Sequence, residues 1–132
     1  METLNIFLDT ILEQLNVDKN RVYLTGNSMG GTATWLWAIH NPNQFAAIAP
    51  VCGQMVPWII KYTLINIPCW AFHGTEDKTV SFEFSRYMVD EINKNGGNAK
   101  LTAYEGLDHN AWDFAYYDEE LYSWFLSHTL KK

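Results

Sequence analysis

The chain has 132 residues, 48% hydrophobic, 15% aromatic and 18% charged, a composition that supports one packed core and excludes a disordered chain. A formal charge of −6 leaves no basic footprint for nucleic acid or anionic lipid. No apolar stretch approaches the roughly 20 residues that span a bilayer, and Met1-Glu2-Thr3-Leu4-Asn5 lacks the basic-then-apolar order of a signal peptide. The compartment stays open, with the cytoplasm as the default.

Leu4, Phe7, Leu8, Ile11, Leu12 and Leu15 recur at three- and four-residue intervals, which predicts an amphipathic helix from about Thr3 to Asn16. After a turn at Val17-Asp18-Lys19-Asn20 comes a short buried strand, Arg21 to Thr25. A helix over Met29 to His40 follows; its Gly30, Gly31 and Ala33 allow close packing on a sheet, and Asn41-Pro42 ends it. Phe45 to Val51 reads as the next strand, although its alanines carry weak strand propensity. Gly53 to Asn66 is irregular, with a short helix near Trp58 to Tyr62.

Cys69 to Phe72 forms a third strand, closed by His73-Gly74. Ser81 is the expected N-cap of a helix that runs to about Asn95 and stops at Gly96-Gly97. Ala99 to Tyr104 is the fourth strand, Glu105 to Asn110 a loop, and a final helix covers about Glu119 to Leu130. Strands alternating with helices indicate an α/β fold: one domain with a three-layer parallel sheet of about four strands and flanking helices. Cys52 and Cys69 then fall at opposite ends of neighbouring parallel strands, too far apart for a disulfide, so both are expected as buried free thiols.

Between the first strand and its helix lies Gly26-Asn27-Ser28-Met29-Gly30, a Gly-x-Ser-x-Gly pentapeptide in the context of a nucleophile elbow. Such a turn exposes the serine hydroxyl at the carboxyl end of a strand and points the next amide, that of Met29, at the same space. Two further loops at that edge hold Glu76 and Asp77 after the third strand, and Asp108 and His109 after the fourth. Parallel strands bring these loops to one rim, where open α/β sheets form their sites. A serine hydroxyl needs an imidazole to take its proton and a carboxylate to hold that imidazole in one tautomer. Ser28, then an acid, then His109 is the chain order expected with such an elbow.

Asp77, Glu76 or Asp108 could supply the acid in that order. The other histidines have structural readings: His40 at a helix C-terminus, His73 bracing the acid loop through hydrogen bonds, and His128 on a surface helix near the chain end. Trp35, Trp37, Trp58, Trp70 and Trp124 read as core or interface. Trp112, three residues after His109, could wall a substrate pocket, and Gln54 and Met55, just past the second strand, could face it. No metal-ligand spacing, phosphate loop or dinucleotide fingerprint is present.

The segments Arg21 to Gly31, Phe45 to Gly53, Phe72 to Asp77 and Asp108 to Trp112 together resemble the α/β-hydrolases. They look most like bacterial carboxylesterases of the phospholipase/carboxylesterase, feruloyl-esterase-like and "predicted peptidase" kind, whose members are often secreted. The resemblance implies Ser28 as nucleophile, Asp77 as acid and His109 as base, with the Met29 amide as one oxyanion donor. It implies hydrolysis of small or short-chain acyl esters without metal or organic cofactor; feruloyl or acetyl esters and peptides are the alternatives.

Only the C-terminal half of that fold is resembled, so the chain reads as a truncated version. The loop that supplies a second oxyanion donor falls in the half without a counterpart here. The Arg21 to Thr25 strand becomes an apolar edge, from which a homodimer joined antiparallel across a two-fold axis is expected. The non-enzymatic alternative is a weakly active half-domain whose main role is to associate with a partner chain.

Overall fold

In a computed structural model, which describes residues 1–57 and 63–130, one four-stranded sheet carries helices on both faces. The elements are α1 (Glu2–Gln14), β1 (Tyr23–Asn27), α2 (Met29–His40), β2 (Ala47–Val51), a 3-10 turn at Leu64–Asn66, β3 (Cys69–Gly74), α3 (Glu83–Lys94), β4 (Ala99–Tyr104), α4 (Trp112–Ala115) and α5 (Glu119–Leu126). The strands lie in the order β1-β2-β3-β4, every pair parallel. This is the expected α/β architecture. The helix expected near Trp58 to Tyr62 lies outside the described residues.

Strand alternation divides the core into two clusters, because successive side chains leave a strand on opposite faces. Ile48, Cys69 and Ala71 point toward α2 and α3, where they meet Trp35, Ala38, Met88 and Ile92. Ala47, Ala49, Val51, Trp70 and Phe72 point the other way, onto Ala111, Ala115, Leu121 and Phe125 of the C-terminal segment. The alanines of β2 are therefore packing residues: all are fully buried beneath helices, and burial outweighs their poor strand propensity.

Several boundaries differ from the sequence reading. β1 begins at Tyr23 instead of Arg21 and continues through Gly26 and Asn27, because the ladder with β2 pairs Gly26 with Pro50 and Asn27 with Val51. β2 starts at Ala47, not Phe45. α3 starts at Glu83 with Phe82 at the cap position; Ser81 still reaches the helix, its Oγ 3.4 Å from the Glu83 amide. α4, only four residues long, shows no periodicity to read.

α5 stops at Leu126, not near Leu130. The Ser127 hydroxyl donates to the Trp124 carbonyl, and the chain beyond is drawn to the start of β1. There Leu130 N–H donates to the Asn20 carbonyl and Tyr23 O–H to that of His128. His128 consequently lies past the helix, half-buried, and not on it.

β1 is one edge of the sheet among the described residues, and β4 is the other. Beside β1, α1 has no buried residue; it meets the body through partly buried Leu8 and a 2.6 Å bond from Trp37 Nε1–H to Asn5 Oδ1. Leu4, Ile6, Phe7, Leu15 and Val17 are exposed. A groove of about 300 Å³ between α1 and β1 is lined by Leu8, Ile11, Leu12, Val17, Val22 and Tyr23, with Asp18 and Arg21 at its rim.

Candidate active site

The carboxyl ends of the four strands share one rim. Ser28 occupies the turn from β1 into α2 with φ 53° and ψ −115°, a conformation that is costly for a residue with a Cβ. The turn is tight enough to require glycine at position 26, where a Cβ would lie 2.5 Å from the Gly30 carbonyl oxygen. It is held by Ser28 N–H donating to the Val51 carbonyl at 2.9 Å and Thr32 N–H to the Ser28 carbonyl at 3.0 Å.

A serine at a helix N-cap ordinarily spends its hydroxyl on the helix's own amides. Ser28 makes no such bond; its Oγ lies 2.8 Å from Nε2 of His109. The hydroxyl is committed to the imidazole.

His109 in turn places Nδ1 2.7 Å from Oδ2 of Asp77. Because a carboxylate only accepts, Nδ1 carries the proton, and Nε2 presents its lone pair to the Ser28 hydroxyl. Asp77 has no exposed side-chain surface, and burial by itself would raise its pKa. The Val80 amide, the His109 ring and the Thr79 amide outweigh that effect and hold it below the ordinary carboxylate range. The amide bonds measure 2.8 Å from Val80 and 2.9 Å from Thr79, both to Oδ1.

The other two acids take different positions. Glu76 is exposed. Asp108 Oδ1 accepts from the amides of Lys78 and His109, both at 2.9 Å, and so ties the acid loop to the histidine loop. Thr75 N–H to the Tyr104 carbonyl, Glu76 N–H to that of Leu107 and Gly106 N–H to Thr75 Oγ1 continue the fastening. Gly74 lets the loops approach this closely: a Cβ there would lie 2.5 Å from the Asp108 carbonyl oxygen.

Behind Asp77 sits a second imidazole. His73 is fully buried, with Nε2 2.9 Å from the Val80 carbonyl and 3.2 Å from Asp77 Oδ2, and Nδ1 2.7 Å from Ser85 Oγ. Two acceptors face Nε2, so the proton is there and Nδ1 accepts from Ser85. The bracing role expected of His73 is present. Its Ser85 partner, on α3, carried no motif that sequence could reveal.

Of the remaining expected residues, Trp112 packs edge-on against His109 with ring centroids 5.4 Å apart. Met29 heads α2 and is 85% exposed, and its amide is among the first-turn donors that a helix leaves without an internal acceptor. Gln54 is exposed, its amide bonded to Thr32 Oγ1 at 2.9 Å. Met55 is a core residue, 6% exposed and packed in the cluster with Trp35; an apolar side chain gains more there than at a solvent-open rim.

Cys52, which follows β2 at the same rim, also adjoins this site. It is buried at φ 39°, its Sγ is 3.6 Å from the His109 carbonyl oxygen, and burial pushes its thiol up to about 11. Cys52 and Cys69 are both free and buried, as expected.

Burial lowers His73 below its ordinary 6.5, so the folded protein keeps it neutral while the unfolded chain binds a proton as pH falls. The stability carried by His73 is complete above 6.5 and is lost below it. His128 is lowered in the same way, so comparison with His73→Gln isolates the contribution of His73. The variant should be less stable at neutral pH by about 1–3 kcal/mol, the cost of stranding buried partners. Its urea midpoint should also fall less steeply than that of the wild type from about pH 7 to about pH 5. Equal slopes would contradict this account of His73.

The chain resembles known proteins in sequence and in fold. The family model described as "Dienelactone hydrolase family" matches residues 2–120. A bifunctional acetylxylan esterase/xylanase of Neocallimastix patriciarum is 34% identical over 76 residues, 58% of this chain and 11% of that protein. Acyl-protein thioesterase 1 homolog 2 of Dictyostelium discoideum is 28% identical over 103 residues, 74% of this chain and 46% of that one. The chain thus spans less than half the length of these curated relatives. The crystal structure of a thermostable esterase superposes with a TM-score of 0.86 at 33% identity, covering 96% of this chain and 36% of the other. The protein belongs to the Dienelactone hydrolase family and has the α/β-hydrolase architecture.

Proposed function

We propose that the chain carries the chemical half of a serine carboxylesterase acting on small or short-chain acyl esters. The observation that supports this reading is the unbroken hydrogen-bonded series from Ser28 Oγ through His109 to Asp77. Ser28 attacks the ester carbonyl while Nε2 of His109 takes its proton. The Met29 amide donates to the developing oxyanion. The imidazolium, steadied by Asp77, then returns the proton to the leaving alcohol, and a serine acyl ester remains. Water deprotonated by the same imidazole releases the acid.

A single oxyanion donor gives weaker catalysis than two, by a factor of about 10² to 10³. Trp112, beside the base, supplies a wall suited to a flat acyl group or a sugar face. Acetyl or feruloyl esters of polysaccharide are therefore the second substrate class, in line with the acetylxylan esterase relative.

Hydrolysis of p-nitrophenyl acetate and butyrate tests the reading. Ser28→Ala and His109→Ala should each lower kcat by at least about 10³-fold, and Asp77→Asn by about 10⁴-fold. Wild type and Ser28→Ala hydrolysing alike would overturn it.

We further propose that the free edge of β1 pairs antiparallel with the β1 edge of a second copy, extending the sheet to eight strands. The unpaired edge and the adjoining apolar groove support this: a sheet edge beside exposed aliphatic side chains is a ready template for pairing. Light scattering at micromolar concentration should give twice the chain mass of 15.2 kDa. A stable monomer, or pairing only with a different chain, would count against it.

A further inference from the structure

The rim holds one group that ester hydrolysis does not use, the thiol of Cys52. Its Sγ, a carboxylate oxygen of Asp77 and a ring nitrogen of His109 all lie within 4.8 Å of one another. They come from the ends of three different strands, β2, β3 and β4, so no spacing in the sequence announces them. Three points so placed share a centre within about 2.8 Å of each, and zinc bonds to sulfur, imidazole and carboxylate measure about 2.0–2.3 Å. Adjustments of under an ångström close the site. A thiolate, an imidazole and one carboxylate form a donor set for thiophilic cations and a poor one for Mg²⁺ or Ca²⁺.

We propose that Cys52, Asp77 and His109 form a reversible inhibitory site for a thiophilic divalent cation, Zn²⁺ or Cd²⁺. On binding, the thiol releases its proton to solvent and becomes the sulfur ligand. The imidazole stays neutral, with one proton on one nitrogen and the lone pair of the other on the cation; the Asp77 carboxylate binds as the anion it already is. Coordination through Nδ1 replaces the 2.7 Å bond to Asp77, and coordination through Nε2 consumes the lone pair that accepts from Ser28. Either arrangement removes the base. The side chain of His109 is 20% exposed, which gives the cation an approach from solvent and a position for a water ligand. Cation binding is independent of the esterase reading; the inhibition rests on it.

The binding arm uses Ser28→Ala protein titrated with Cd²⁺ and followed by thiolate-to-metal charge-transfer absorption in the ultraviolet. One equivalent should saturate the band. Adding Cys52→Ser or Cys52→Ala should abolish it, and adding Cys69→Ser should leave it. The kinetic arm measures p-nitrophenyl acetate hydrolysis by the wild type with Zn²⁺ or Cd²⁺. Activity should fall and return with EDTA, while Cys52→Ser, read against its own metal-free rate, should need at least tenfold more cation. No band, a band that survives both Cys52 substitutions, or equal sensitivity of Cys52→Ser would overturn the proposal. A saturating band in a protein without hydrolysis would uphold the cation site and count against the esterase reading alone.

Discussion

The site is organised around a single buried anion. Asp77 exposes no side-chain surface, and a carboxylate taken out of water is strongly disfavoured unless donors replace the solvent. Oδ1 is satisfied by the amides of Thr79 and Val80; Oδ2 faces His109 Nδ1 at 2.7 Å and His73 Nε2 at 3.2 Å. Every donor that keeps Asp77 charged also fixes something else. The amides shape the acid loop, His73 anchors that loop to α3 through Ser85, and His109 is held in the tautomer that leaves Nε2 open to Ser28.

The parallel sheet makes such an arrangement possible. Its four strands share one direction, so turns separated by tens of residues arrive at the same rim without long loops. Strain accumulates there, in the positive φ angles of Ser28 and Cys52. Both lie where ladder hydrogen bonds continue past the strands: Ser28 N–H to the Val51 carbonyl and Cys52 N–H to the Phe72 carbonyl. The regular, fully buried β2 and β3 thus stabilise the irregular turns that carry Ser28 and Cys52.

Much of this was legible from residue order. Ser28, Asp77 and His109 each lie in the loop that follows a strand, and the structure brings the three together. The choice of Asp77 over Asp108 was less accessible. Both are loop acids close to His109 in the fold, and only the path of the loops turns one carboxylate to the ring and the other to the Lys78 and His109 amides. Strand ends depart from the sequence reading where tertiary pairing overrides propensity, as at Gly26 and Asn27. Met55, expected with Gln54 to face the pocket because both follow the second strand, packs into the core instead, since an irregular segment has no fixed side-chain alternation to read. The α5 terminus is set by contacts with residues 20 and 23, about a hundred positions away, which no local pattern records. The position of Cys52 is legible in residue order, since it directly follows a strand that ends on the same rim as Ser28.

Mass spectrometry after exposure to a fluorophosphonate probes the central claim most directly, because the reagent bonds only to a serine activated by a neighbouring base. The account predicts one adduct per chain, mapped to Ser28, formed in wild type and lost in His109→Ala although the hydroxyl is still present. No adduct on Ser28, or the same rate of labelling without the imidazole, would contradict it.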